Sequence, residues 1–371
     1  MKELLRLIHF EYKQLLRNSG ALLVIILAPL AYSLLYSAGY SEQVLHKVPV
    51  TVVDNSHSYA SRRVIQTLNA SPYISIMGES SDMESAKSEL FERSIYGIIY
   101  IPEHYEQRVL QGKIATISLY CDGSYFLMYR QLFQGVASVI AAESKRENVV
   151  TLQSHTLFNP YLGYGTFIMP AVLLVILQQT TIIGIGIMGA LWSRKRLYRR
   201  WSTSTIVVAK LAVYSSIAAL IGSYILAIHY HLFGYPAIGS TAVCAAITVP
   251  YLLSIVALGI ALSTLFKRAE TPVIAILWSS IPVLLVTGAS LPQSAFPWWM
   301  HTIGKLLPST SAVPAYIRAQ VMGASIEQVE AEVLWLWGLT ALYLTLAAVA
   351  IYKKTSARPT TNSEHPPVTL L

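Results

Sequence analysis

Residues 167–193 run for 27 positions without a charged side chain. About 20 apolar residues carry a helix across the hydrocarbon core of a bilayer. Five further stretches read the same way, at 21–40, 205–228, 241–266, 272–290 and 333–352, and Lys210 is the only formal charge in the six. It stands near one end of its stretch, placed to snorkel toward the headgroups. Over all 371 residues, 54% are hydrophobic and 12% charged, roughly half the usual charged share, which excludes an ordinary soluble enzyme. Cys121 and Cys244 are too few for a disulfide framework or a Cys-rich metal site.

The first stretch could be a cleaved leader, with Ser37-Ala38-Gly39 as a small-residue cleavage site. Glu3 and Glu11 in the segment ahead of it argue for a retained span. Basic residues outside the spans cluster as Lys2/Arg6/Lys13/Arg17, Arg194/Lys195/Arg196/Arg199/Arg200, Lys267/Arg268 and Lys353/Lys354/Arg358. With six spans all four clusters fall on one face, which the positive-inside rule makes cytoplasmic. Residues 41–166 carry 10 basic and 12 acidic residues and fall on the other side. The expected fold class is therefore an α-helical polytopic membrane protein, six spans with both termini inside, carrying an inserted extracytoplasmic α/β (α+β) domain.

The divisions follow. Residues 1–19 read as a basic amphipathic helix on the cytoplasmic headgroups, with Leu4, Leu5, Ile8, Tyr12, Leu15 and Leu16 in one arc, the cations opposite, and Glu3, Leu7, Phe10 and Glu11 between. Residues 20–40 form the first span, and 41–166 alternate strand and helix patterns. Strands are expected at 48–53, 73–77, 95–101 and 114–120. Helices are expected at 59–69, after a capping box Ser81-Asp82-Met83-Glu84, from Pro102 to Gly112, and over 126–150. Residues 167–352 hold spans two to six, with a basic cytoplasmic loop at 193–204 and proline-rich outer helices at 291–332. The tail 353–371 is expected to be disordered.

The chemistry that is missing narrows the function. Gly112-Lys113 and Gly304-Lys305 lack the rest of a phosphate-binding loop, so the chain carries no such ATPase site. The spans offer no carboxylate for ion coupling. Gln178 and Gln179 are an amide pair at depth, better suited to joining helices than to holding substrate. His229-Tyr230-His231 puts its histidines at i,i+2, which do not share a helix face, so a metal site is not expected there. No serine sits in a nucleophile elbow.

The order of basic amphipathic start, one span, large outer domain and five clustered spans resembles the membrane-spanning permease of an ABC type-2 exporter, in the drug-efflux-like branch. The segments that carry the likeness are Val48-Pro49-Val50-Thr51-Val52-Val53-Asp54-Asn55-Ser56 with Ser61-Arg62, Ile98-Ile99-Tyr100-Ile101-Pro102, Asp122-Gly123 and Phe158-Asn159-Pro160. Leu262-Ser263-Thr264, Thr287-Gly288 with Pro292, Pro297-Trp298-Trp299 and Leu307-Pro308 continue it. The resemblance implies a half-size pore in the bacterial cytoplasmic membrane, pairing with a second permease as homo- or heterodimer. It implies a separate ABC ATPase subunit that holds ATP and Mg, with no cofactor on this chain, and a periplasmic adaptor and outer-membrane channel as further partners. Nucleic acid is not an expected partner.

By the same resemblance, Arg6, Lys13 and Arg17 with Arg194, Lys195, Arg196, Arg199 and Arg200 form the ATPase-coupling surface. Gln178, Gln179, Thr287, Gly288, Pro292, Trp298 and Trp299 are pore or exit candidates. A departure stands in the loop after span two, where the family usually carries an acidic pair and Gly-Thr. This chain has Arg194-Lys195-Arg196-Leu197-Tyr198-Arg199-Arg200-Trp201-Ser202, with Ala209-Lys210 in place of Gly-Lys. Either the cognate ATPase presents an acidic groove, or the chain is the degenerate half of a heterodimer. Charge-free spans suit a hydrophobic or amphipathic cargo such as a drug, lipid or lipid-linked compound. The competing reading is a non-transporting scaffold or receptor acting through its outer domain.

Overall fold

The computed structural model describes residues 1–39, 47–92, 94–121, 126–144, 164–235, 237–289, 293 and 296–356. The chain divides into two compact units, one formed by Met1–Ser41 with Gly163–Leu371 and the other by Glu42–Leu162. It opens with α1 (Lys2–Leu16) and α2 (Ser19–Gly39). Pro29 has no N–H to offer the carbonyl one turn back, and residues Leu23–Leu27 ahead of it widen into a π-turn in which Ala28 N–H reaches Leu23 O.

The second unit contains, in order, β1 (Val48–Asp54), α3 (Tyr59–Ala70), β2 (Ile74–Glu79), α4 (Met83–Phe91), β3 (Gly97–Ile101), α5 (Tyr105–Leu110), β4 (Ser118–Cys121) and α6 (Phe126–Ser144). The sheet order is β2-β1-β3-β4, with β1 parallel to both neighbours and β4 antiparallel to β3. Val48, Val50 and Val52 pack with Val64 and Leu68 of α3 and Leu132, Val136 and Val139 of α6. Val53 joins Ala86, Ile95 and Ile98 in a separate cluster. Burial on both faces is why β1 reads as a continuous apolar run.

Three local expectations shift. The cap of α4 is Asp82, whose carboxylate accepts Glu84 N–H and Ser85 N–H at 2.8 Å each, so the helix starts one residue later than Ser81 implied. A reciprocal capping box does occur, at Ser58 and Ser61, and Asp54 Oδ2 accepts the Ser61 hydroxyl at 2.6 Å. Pro102 lies ahead of α5, which begins at Tyr105. Strand β4 starts at Ser118, where pairing with β3 begins, and Ile114 is exposed. The expectations for 145–150, for Asp122-Gly123 and for Phe158-Asn159-Pro160 lie outside the described residues.

The rest of the first unit is α7 (Tyr164–Arg194), α8 (Thr203–Leu232), α9 (Thr241–Ser263), α10 (Glu270–Val286), α11 (Trp298–Gly304), α12 (Pro308–Met322) and α13 (Ile326–Ser356). Among the described residues five helices, α2, α7, α8, α9 and α13, are long and apolar enough to cross a membrane. The apolar run at 272–290 yields α10, with 17 residues the shorter one. Helix α7 is apolar on all sides because it is the central element, and such helices lie buried. Its small residues admit neighbours closely: a Cβ on Gly184 would stand 2.9 Å from Ile25 of α2, and one on Gly189 would stand 2.4 Å from Ser263 O of α9. Helix α12 is inserted into the bundle, with Ser309, Ala312, Val313, Ala315 and Ala319 fully buried. Helix α13 runs to Ser356, so the tail's first residues are helical. The remainder of the tail lies outside the described residues.

Candidate functional site

The helical wheel of α1 is turned from its apolar arc. Its buried stripe is Leu7, Glu11 and Leu15, spaced i, i+4, i+8, while Leu5 and Leu16 are exposed. Glu11 is completely buried. On α8, Lys210 and Tyr214 share a face one turn apart, and both point at that carboxylate. Lys210 Nζ and the Tyr214 hydroxyl each donate to Glu11 Oε1 at 2.6 Å, and Trp192 Nε1, from the last turns of α7, donates to Oε2 at 2.7 Å. The Lys210 ammonium also lies 4.0 Å from the centre of the Trp192 ring. A buried ion pair is tolerable only when its remaining lone pairs are satisfied, and here three donors converge on one carboxylate.

This corrects two expectations. Lys210 does not snorkel, being 1% exposed and paired, and Glu11 lies on the buried side of α1 instead of between its faces. Hydrophobicity alone misplaces a carboxylate that has an ammonium, an indole N–H and a phenol waiting for it. The knot ties α1 to α7 and α8, the elements flanking the basic loop. Aromatic contacts extend it, with Trp192 against Tyr198 and Trp201 at 5.2 and 5.8 Å and Phe10 against Trp201 at 5.5 Å.

The loop itself has a fixed shape. Helix α7 ends as Lys195 N–H reaches Leu191 O. Arg196 then adopts a left-handed conformation (φ 52°, ψ 30°), and Leu197–Arg199 form a short 3-10 turn whose Leu197 and Tyr198 are buried. Burial pushes the Tyr198 phenol well above its ordinary range. Arg194, Lys195, Arg196, Arg199 and Arg200 remain exposed around these anchors. Lys354 of α13 donates to Ser193 Oγ at 2.9 Å and lies 5.0 Å over the Tyr198 ring, and Thr203 and Thr355 hydroxyls meet at 3.2 Å. Gly189 against Ser263 brings the start of the α9–α10 turn, with exposed Lys267 and Arg268, to the same end. Arg6, Lys13 and Arg17 lie on the exposed side of α1, away from Leu7, Glu11 and Leu15. The described basic clusters thus share one end of the unit.

The other candidates separate. Gln178 Oε1 accepts Ser309 N–H at 3.0 Å and so caps the N-terminus of α12, while Gln179 Nε2 reaches Ser279 Oγ at 3.5 Å. Thr287 and Gly288 close α10, and Gln293 Nε2 donates to both Thr287 O and Thr310 O, at 3.3 and 3.0 Å. Gln178, Thr287 and Gly288 therefore belong to one joint between α7, α10 and α12, an arrangement in which the amides hold helices together. Trp298 and Trp299 are exposed on α11, and Pro292 lies outside the described residues. His229 is buried with Nε2 3.1 Å from Ser33 O, while His231 is exposed. Glu11, Trp192, Tyr214 and Gln293 were not singled out by sequence. A lone lysine in an apolar run, together with a glutamate on the amphipathic helix ahead of the spans, is the signal that could have paired the first.

Compared with known proteins, residues 20–349 match the family described as ABC-2 family transporter protein. The chain belongs to the ABC-2 transporter family. The ABC-2 chain is similar to the inner membrane transport permease YhhJ of Escherichia coli (strain K12), at 20% identity over 95% of this chain and 98% of that protein. It is likewise similar to the probable multidrug ABC transporter permease YbhR of the same organism, at 21% identity over 94% of this chain and 97% of that protein. As an ABC-2 member it is a multi-pass membrane subunit of a transporter, of the permease type.

Proposed function

We propose that this ABC-2 subunit is the permease half of an exporter in the bacterial cytoplasmic membrane, moving a hydrophobic or amphipathic cargo outward under the power of a separate ABC ATPase subunit. That subunit holds ATP and Mg, and a second permease, identical or related, completes the pore. In this reading α2, α7, α8, α9, α10 and α13 supply six spans with both termini in the cytoplasm. The Glu42–Leu162 unit then lies outside, available to a periplasmic adaptor and outer-membrane channel. The observation that carries the reading is the Glu11–Lys210–Trp192–Tyr214 knot directly beside the basic loop. A displacement of α1 or of the loop would pass to α7 and α8 through these buried contacts, as a drive surface requires.

The test is affinity purification of the full chain from its native host in mild detergent, followed by identification of bound proteins and a vanadate-sensitive ATPase assay. A stoichiometric ATP-binding subunit with that activity is the expected result. A stable complex without any ATPase, in several detergents, would move the function to the Glu42–Leu162 unit and to a receptor or scaffold role.

A further inference from the structure

The first turn of α12 carries two buried hydroxyls, Ser309 Oγ and Thr310 Oγ1, that have no hydrogen-bond partner among the described residues. Ser309 is fully buried and Thr310 is 4% exposed. Burying a polar group without a bond costs free energy, so two of them side by side call for an acceptor or donor that the fold does not supply. Side chains on a helix lean toward its N-terminus, which aims both hydroxyls at the start of α12. That end is also the positive pole of a 15-residue helix.

The surroundings select the sign of what could bind. Lys305, three residues ahead of Pro308, is exposed and in no ion pair among the described residues. From Thr271 to Ile326 the sequence holds no Asp or Glu, and α7 holds none either. Pro314 has no N–H for Thr310 O, so Gln293 Nε2 takes that carbonyl, at 3.0 Å, along with Thr287 O. That amide therefore serves backbone and leaves the hydroxyls open. Gln178, which receives Ser309 N–H, lies near the middle of α7, about 21 Å from Tyr164 and about 24 Å from Arg194 at 1.5 Å per residue. With α7 spanning as proposed, the start of α12 stands near the bilayer midplane, where a broken helix can turn its N-terminus on an anionic substrate group.

We infer that the N-terminus of α12 binds the anionic headgroup of an amphipathic ligand, a phosphate or carboxylate whose oxygens accept the Ser309 and Thr310 hydroxyl protons, with Lys305 at the approach. This rests on the proposed function and narrows its cargo to an acidic amphiphile. Water would bond the hydroxyls but would use neither the helix dipole nor the cation. The way in is beside α10. A Cβ on Gly304 would stand 3.4 Å from Val286 and 3.7 Å from Thr310 Cγ2, so Thr310 faces the α10–α11 corner. The bond from Gln179 Nε2 to Ser279 Oγ, at 3.5 Å, is a long one for α10 to give up.

A phosphatidate with a diazirine on its acyl chain next to the glycerol tests the site, on the purified full chain in mild detergent, with labelled residues mapped by peptide mass spectrometry. Diacylglycerol with the same photoreactive chain and free inorganic phosphate are the control arms. Labelling by the phosphatidate, and not by the diacylglycerol, is expected within 305–311 or on the facing turns of α7 and α10, at rest or during ATP turnover by the co-purified ATPase. Ser309→Ala/Thr310→Val should lower it roughly tenfold through loss of two bonds to a charged acceptor, while Thr310→Ser, which keeps its hydroxyl, should retain it. Because these hydroxyls are unbonded in the empty protein, the double variant should keep or raise the thermal midpoint.

A lowered midpoint makes the hydroxyls part of the framework and overturns the site. Competition by inorganic phosphate at equal concentration assigns the site to a free anion and overturns the headgroup. Equal labelling by diacylglycerol, no labelling there in either state, or labelling untouched by the double variant overturns the inference and leaves the proposed function standing. The expected labelling on a chain that co-purifies with no ATP-binding subunit keeps the headgroup site and overturns export.

Discussion

At the residue scale, Glu11 joins α1 to α7 and α8. Removing one partner of a buried pair leaves the other charged and unsatisfied, so Glu11→Ala should destabilise the protein by about 3–5 kcal/mol. Glu11→Leu combined with Lys210→Met should recover only part of that loss, since it removes the unpaired ammonium but leaves the buried Trp192 N–H and Tyr214 hydroxyl without their acceptor. Denaturant titration of the detergent-solubilised chain, followed by tryptophan fluorescence, measures both. Equal destabilisation in single and double variants would mean that the pair is not the unit of stability described here. Sequence alone could not place this carboxylate. The arithmetic of about 100° per residue located a helix and its basic face correctly, but it assigns burial by apolarity. Glu11 is buried because Lys210, Trp192 and Tyr214, some two hundred positions away, meet it.

Elements were more legible than sites, because their signals are local. Apolar runs without charge locate α2, α7, α8, α9 and α13, each within a few residues except where α13 extends at both ends. The strands of the Glu42–Leu162 unit announce themselves through β-branched runs, and their ends move only where pairing decides, as at Ser118. What local signals miss is close approach. A methyl group on Gly189 would meet Ser263 O at 2.4 Å, so Gly189→Ala should cost about 1–3 kcal/mol through overpacking. Gly239 is tighter still: Ile238 N–H and Gly239 N–H both bond Gln320 O, and a Cβ there would stand 1.9 Å from Ala319 O. Gly239→Ala should therefore detach the α8–α9 loop from α12, seen as faster amide exchange at Ile238 with little change in α7. Unchanged exchange there would contradict the docking.

The cap of α4 gives a prediction with a pH sign. Backbone bonding from Ser85, followed by the Ser81 and Ser85 hydroxyls, holds the Asp82 carboxyl below its usual range. A group whose folded pKa is depressed stabilises above its unfolded pKa, and that contribution disappears as pH falls through the folded value. Protection of α4 amides against exchange should therefore decline on acidification below the ordinary carboxylate range. Asp82→Asn should flatten that decline, and an unchanged profile would show that the cap does not hold the helix.

At the scale of the whole molecule, a permease that uses a partner's ATP must connect the surface it offers that partner to the helices that move. The knot under the basic loop is the connection proposed here, and the joint of Gln178, Gln293 and Thr287 fixes α12 to α7 and α10 within the same unit. The family and the spans could be read from sequence because both are distributed along the chain. The departure of 194–200 from the loop that the family resemblance implies is visible in sequence, whereas the burial of Leu197 and Tyr198 that fixes its shape is not. The most direct test is ATP-dependent movement of a fluorescent phospholipid or amphipathic dye in proteoliposomes containing the chain with its co-purified ATPase. A drive surface at the basic loop predicts transport in wild type and its loss in Arg194→Gln/Lys195→Gln/Arg196→Gln with the protein still folded. Vigorous ATP hydrolysis with no vectorial movement in wild type, or transport untouched by the triple variant, would contradict it.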